Sequence, residues 1–233
     1  MKIGTSNKIQ DVAPTFVENF TYSELSKSVC SAYETKIEDY KKRIGKAGKY
    51  FFYHSHDSDI LEIKKTNRKD LLLRLNDRST LEFACALIDK KGLDIDKTSL
   101  EFPVEFISSG TTHLSLNTVD ETRGEIYPCR FRQLSEYLYE EILVWEKGHI
   151  EIAFDLWKHN SINNNHRYLL LLSCKQLKIN EYQSEAWRKF FGDTYKAYYD
   201  YFETERNVGR WLSDYSLCEK LIDEIEGQLT EEK

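Results

Sequence analysis

The chain has 233 residues, of which 40% are hydrophobic and 31% are charged. This composition supports a sizeable core under a well-solvated surface, and it excludes a disordered chain. The net charge is −6, and residues 181–233 supply all of it, because they hold 13 acidic and 7 basic side chains. Nucleic-acid-binding proteins usually present a coherent basic patch, so this distribution disfavours a nucleic-acid partner.

Hydropathy and cysteine spacing bear on the location of the protein. No segment approaches the roughly 18 consecutive apolar residues of a membrane helix, and the first residues lack the apolar core of a signal peptide. The cysteines lie far apart and form no CxxC pair, which disfavours both a disulfide framework and a cysteine zinc site. We therefore expect a cytoplasmic protein that makes no membrane contact. The five cysteines are Cys30, Cys85, Cys129, Cys174 and Cys218.

The first 49 residues predict an arm followed by one helix. Residues 1–20 have no clear period. From Thr21 onward, apolar residues recur every three or four positions as far as Ile44, which is typical of an amphipathic helix. Gly45 and Gly48 are expected to end it.

Between residues 50 and 180 the period shortens to two, which predicts strands. The alternation is clearest where Ile150, Ile152 and Phe154 alternate with Glu151 and Asp155. Short polar connections favour hairpins, and hence antiparallel pairing. Residues 133–142 also fit a short helix. The predicted strands are 50–54, 60–65, 71–76, 81–88, 100–107, 113–119, 137–145, 150–157 and 168–178.

The helical period returns in residues 181–233. One aromatic stripe runs from Trp187 to Phe202, and a second apolar stripe runs from Trp211 to Ile225. We predict two helices that pack on the sheet. The expected fold is therefore α+β: a central antiparallel sheet of about seven to nine strands, an N-terminal helix and a C-terminal helical pair, in one structural unit.

The densest group of potential metal ligands is His54, His56, Asp57 and Asp59. Strand geometry would place the two imidazoles on one face, where they and a carboxylate could hold a divalent metal. Such a metal would lower the pKa of a bound water, as in a metal-dependent hydrolase. Alternatively, these residues lie at a strand entrance, where the carboxylate accepts backbone hydrogen bonds.

Crowded aromatic and acidic residues mark the first C-terminal helix. Tyrosines at helical spacing are typical of a core, but next to carboxylates they also suit a contact surface for a basic protein. The candidate contact residues are Tyr195, Tyr198, Tyr199, Asp200 and Glu203. A further segment, residues 108–112 (SSGTT), forms a turn or, alternatively, binds an anion.

Residues 56–63 (HDSDILEI), followed by the leucine-rich residues 71–75, resemble the strand start of small bacterial β-rich families. These families include immunity proteins of polymorphic toxin systems and domains of unknown function. Residues 137–142 and 150–154 look like the closing strands of the same meander. The resemblance covers roughly residues 50–180. It implies a protein without catalytic residues that binds and blocks a toxin or another protein.

The leading functional hypothesis is therefore a non-catalytic protein-interaction module, immunity-like, that needs no cofactor. Two alternatives remain open: a metal-dependent hydrolase that uses the residues 54–59, and a domain that binds a small ligand in a cavity of the sheet.

Overall fold

A computed structural model of the chain describes residues 8–13, 40, 42–45, 48, 50, 57–159, 166–207 and 214–231. Within these residues there are nine strands and five α-helices. The strands are β1 (Ser58–Lys65), β2 (Leu71–Asn76), β3 (Pro103–Ser109), β4 (His113–Asp120), β5 (Glu125–Cys129), β6 (Glu136–Glu146), β7 (His149–Lys158), β8 (His166–Cys174) and β9 (Gln176–Glu181). The helices are α1 (Ile9–Val12), α2 (Arg78–Lys91), α3 (Gln183–Phe191), α4 (Lys196–Asn207) and α5 (Tyr215–Glu231).

All nine strands belong to one antiparallel sheet in the order β5-β4-β8-β7-β6-β1-β2-β3-β9. Only Lys175 separates β8 from β9, yet β8 lies near one end of this order and β9 at the other. One residue spans less than about 4 Å, so the sheet must coil until β9 continues the line of β8. The predicted α+β fold with a central antiparallel sheet is confirmed.

The concave side of the coiled sheet holds the inner core. Alternate residues of β2 (Leu71, Leu73 and Leu75) are fully buried there, because successive strand residues point to opposite faces. The inner face of β7 contributes Ile152 and Phe154. The side chains that point to this face are apolar in both strands, as a core-facing side of a sheet requires.

The opposite face of β7 and β8 is also buried. Ala153, Leu169 and Leu171 lie on that face against Ile9 and Val12 of α1, a short helix inside the segment predicted to be an irregular arm. Burial on both faces explains why residues 168–172 form a continuous apolar run instead of an alternating one.

Helix α2 corrects one prediction, because residues 81–88 were expected to form a strand. The buried positions Thr80, Phe83, Ala84, Leu87 and Ile88 follow a spacing of three and four, which is the helical period. Helices α2, α3, α4 and α5 share a second core, which we call the helical core.

Several element boundaries also differ from the predictions. The expected C-terminal pair is three helices, because Gly192 adopts a left-handed φ of 65° and ends α3. The expected strand at 168–178 is two strands, and β5 was not predicted. Tyr50 is helical, and residues 51–54 of the strand expected there lie outside the described residues. The predicted N-terminal helix falls mostly on residues outside those described.

In the part of the chain that the structure describes, no helix combines the length and the apolar character needed to cross a membrane.

Candidate functional site

A buried ion pair joins the helical layer to the sheet. Asp77 links β2 to α2, Arg206 lies in the last turn of α4, and their side chains are 0% and 1% exposed. Arg206 Nη1 donates to Asp77 Oδ2, which also accepts from Thr80 Oγ1 at 2.9 Å and from Gln183 Nε2 at 3.1 Å. Paired and hydrogen-bonded in this way, two charges can be buried together.

The same network continues to Tyr50 and Glu181. Gln183 Nε2 also donates to the Tyr50 hydroxyl at 3.1 Å, and that hydroxyl donates to Glu181 Oε1 at 2.6 Å. Burial raises the pKa of Tyr50, so the phenol stays protonated and can donate. The network therefore fastens the start of α3 and the end of α4 to the sheet.

Two of the predicted contact residues lie inside the helical core. Tyr198 and Tyr199 are only 8% and 7% exposed. The Tyr199 ring lies 5.2 Å from that of Trp187, and its hydroxyl donates to Glu203 Oε1 at 3.0 Å. Their rings are therefore used in packing, as aromatics at helical spacing usually are.

The other three predicted contact residues remain accessible to different degrees. Tyr195 is half-buried, and its carbonyl accepts from Trp187 Nε1 at 3.2 Å. Asp200 is exposed and pairs with Lys196. Glu203 is half-buried and accepts from Arg206 Nη2.

One groove lies beside α3, and we call it the α3 groove. Its volume is about 510 Å3, within the range of ligand pockets. One side is formed by Tyr182, Ala186 and Phe190 of the α3 region, and the other by β2, β3 and the turn before β3. The lining residues are Arg74, Ser99, Glu101, Pro103, Tyr182, Glu185, Ala186, Lys189 and Phe190.

Charges of both signs surround the α3 groove, but they are not equally engaged. Lys189 Nζ lies 5.1 Å from the ring centroid of Phe190. Glu101 and Glu185 are exposed, and neither has an ion-pair partner among the described residues. Arg74 Nε is shielded from solvent without a hydrogen-bond partner in the described part of the chain, and the nearest Glu105 oxygen is 3.9 Å away.

These charges give the groove a chemical preference. The two free carboxylates suit a cation, and the aromatic walls suit the aliphatic stem that carries a lysine or arginine head group. The Arg74 donor suits a carbonyl oxygen. No local sequence pattern announces this site, because its residues come from positions 74, 99–103 and 182–190, which only the fold brings together.

The structure describes only half of the predicted metal cluster. Asp57 is exposed in a turn with a left-handed φ of 57°, and Asp59 is exposed on β1. His54 and His56 lie outside the described residues. Among the side chains that are described, no group of three His, Cys, Asp or Glu is arranged to hold a metal ion.

Comparison of the chain with protein-family models, with curated proteins and with solved structures found no match.

Proposed function

We propose that this protein is a non-catalytic interaction module that binds a basic segment of a partner protein in the α3 groove, as a bacterial immunity protein binds and blocks a toxin. The observation that carries the proposal is the pair of uncompensated carboxylates, Glu101 and Glu185, on a groove with aromatic walls. Unpaired charges at the rim of a groove complement a partner of opposite charge.

A single basic side chain of the partner could contact both the aromatic and the acidic residues of the groove. Its aliphatic stem would lie against Tyr182 and Phe190, and its cationic head would reach Glu101 or Glu185. A backbone carbonyl of the same segment would accept from the guanidinium group of Arg74, whose side chain is 37% exposed.

The charge of the surrounding helices supports a basic partner. Residues 181–233 carry 13 acidic and 7 basic side chains, and several of the acids are exposed on α4 and α5. A net negative charge raises the rate at which a basic protein associates, even when the individual charges add little affinity. The exposed acids include Asp200, Glu219, Asp223 and Glu224.

We place this interaction in the cytoplasm. Cys85, Cys129, Cys174 and Cys218 are all free thiols in the structure, and free thiols persist in a reducing compartment. The proposed interaction needs no cofactor.

Native mass spectrometry of the tagged protein, purified gently from its own host, tests the proposal. The variant Glu101→Lys/Glu185→Lys reverses both groove charges. The control Glu121→Lys/Glu146→Lys makes the same net change at exposed positions outside the groove. We expect one stoichiometric basic protein on the wild type and on the control, and its loss from the groove variant.

Other spectra would count against the proposal in distinct ways. A partner held equally by all three proteins would move the interface away from the groove. A small-molecule adduct in place of a protein would favour a ligand-binding domain. One or two bound metal ions without a partner would favour the hydrolase built on residues 54–59.

A further inference from the structure

A second cleft is lined by two lysines. It has a volume of about 260 Å3 and lies between the turn that joins β1 to β2 and the turn that joins β3 to β4. It is smaller than the usual pocket for a drug-sized ligand and suits a small one. We call it the basic cleft, and its lining residues are Lys65, Lys69, Thr111, Thr112, His113 and Leu114.

Hydrogen bonds hold the two turns of the basic cleft together. Asp70 Oδ1 accepts from the backbone N–H of Thr111 at 3.2 Å and from its hydroxyl at 2.8 Å. Thr111 Oγ1 also lies 2.7 Å from Ser108 Oγ, which accepts from the Leu71 N–H at 2.7 Å. Hydrogen bonds therefore join the two walls of the cleft, and a ligand would bind to a preformed site.

The cationic groups of the cleft have no internal partners. Lys65 and Lys69 are exposed, and the ammonium group of neither forms an ion pair or hydrogen bond with the described residues. Lys175 extends the positive charge, since its stem covers Gly110, where an added Cβ would lie 2.9 Å from Lys175 Cδ. Lysines that line one cleft repel one another, and an anion would relieve that repulsion.

Two acidic groups near the cleft are Asp70, which is hydrogen-bonded to Thr111, and Glu151, which is buried. The Asp70 carboxylate is used by Thr111, as described above. Glu151 is buried on β7, and its Oε1 lies 3.1 Å from His149 Nε2. Glu151 acts on His113 electrostatically, while burial is the larger influence and lowers the pKa of His113. His113 Nε2 lies 2.9 Å from Ser115 Oγ, so at neutral pH it contributes a polar wall and no charge.

Lys69 also has an unusual backbone conformation. Its φ is 66°, in the left-handed region that favours glycine or asparagine. Its N–H donates to the Thr66 carbonyl at 2.9 Å, which closes the turn and sets the position of the lysine. The turn thus carries a long cationic side chain at a position where a residue without a side chain would be least strained.

We propose that the basic cleft is a binding site for a phosphate group, held by the ammonium groups of Lys65 and Lys69 and by the hydroxyl of Thr112. Phosphate offers several acceptor oxygens, and lysine binds it as a point charge. The Thr112 hydroxyl lies 2.9 Å from Ser173 Oγ and can turn to donate to the anion. The ligand is inorganic phosphate or a small phosphate monoester, since both present the same group.

Isotope-edited NMR titration of the full chain, at constant ionic strength, tests this site with three probes: inorganic phosphate, ribose 5-phosphate and ribose. We expect saturable shifts of the Lys69, Thr112 and His113 amides with both phosphates and none with ribose. Tighter binding of ribose 5-phosphate would identify a monoester as the ligand, and equal binding would identify free phosphate.

Matched variants separate the site from general charge attraction. Lys65→Gln/Lys69→Gln keeps the stems and removes both charges, so we expect the Kd to rise at least roughly tenfold. Lys147→Gln/Lys178→Gln removes two exposed charges elsewhere and should leave the Kd within about twofold. Equal weakening in both variants, or no saturable shift at millimolar phosphate, would overturn the proposal.

Discussion

Arg206 and Asp77 form an ion pair fully shielded from solvent, although they lie 129 positions apart in the chain. Asp77 precedes the first residue of α2, where an aspartate usually caps the helix, yet its side chain caps no backbone N–H. Its Oδ2 atom is turned instead to Arg206, Thr80 and Gln183. One carboxylate oxygen thus accepts hydrogen bonds from residues of three helices, α2, α3 and α4.

Removing one partner of this pair should be costly. We expect Arg206→Met to lower the free energy of unfolding by about 3–5 kcal/mol, because the Asp77 carboxylate would be left buried without its counter-charge. Urea denaturation measures the change. Arg188→Met, on an exposed position of α3, is the matched control and should change stability by less than about 1 kcal/mol.

A double variant tests the cause of that loss. In Asp77→Asn/Arg206→Met the orphaned charge is gone, so we expect part of the lost stability to return. If the double variant is as unstable as the sum of the two single variants, charge burial is not the source of the effect.

A second buried pair predicts a pH dependence. Asp155 accepts from Arg167 Nε at 2.8 Å, but burial outweighs the arginine and raises the pKa of Asp155 to about 6. Between its ordinary pKa and that value, the folded chain holds a proton that the unfolded chain has lost. The contribution of Asp155 to stability is therefore greatest at low pH and falls as the pH rises through about 6.

The comparison of wild type with Asp155→Asn isolates this effect. Asparagine does not titrate, and other buried acids such as Glu140, whose pKa burial also raises, act equally in both proteins. We expect the stability of the wild type relative to the variant to fall by about 2 kcal/mol between pH 4 and pH 7.5. A relative stability that stays constant or rises with pH would refute this expectation.

We expect Pro128 to protect one edge of the sheet. It lies in β5, the edge strand, whose outer side is bridged only at Lys8 and Glu125 among the described residues. Proline has no N–H to offer a neighbouring strand, and it is typical of edges guarded against pairing. Tyr127 beside it is 40% exposed, so an unguarded edge would also present apolar surface.

We therefore expect Pro128→Thr to associate through this edge. Analytical ultracentrifugation should show an average mass that rises with concentration more steeply than that of the wild type. Tyr127→Thr keeps the proline and should behave like the wild type. Identical sedimentation of Pro128→Thr and wild type would show that the edge is protected by something other than the proline.

The antiparallel sheet was predictable because its strands alternate in hydrophobicity and short polar turns join them, as at Gly148 between β6 and β7. Helix α2 was not, because its apolar residues are dense enough to fit both periods. Strand β5 contains Pro128 and only one buried residue, Ile126, so it has no clear pattern. The sequence pattern indicates the aromatic stripe. It does not predict that these aromatic residues are buried in a four-helix core, because that core includes α2, for which the pattern predicts a strand.

The two candidate sites differ in how far the sequence predicts them. Residues 108–112 carry hydroxyl groups next to a glycine, and this pattern indicates a turn or an anion site. The α3 groove had no such signal, since Arg74 and Glu185 are more than a hundred positions apart. Residues so far apart in the chain are recognised as one site only when the structure shows that they lie close together.

The most direct test of the proposed interaction is a photo-reactive amino acid placed at Ala186, inside the α3 groove, in the living host. We expect one dominant cross-link to a basic protein, lost in the Glu101→Lys/Glu185→Lys background. The same probe at the exposed Lys147 is the control and should give no such product. No cross-link at Ala186, or the same partner captured equally at Lys147, would contradict the account.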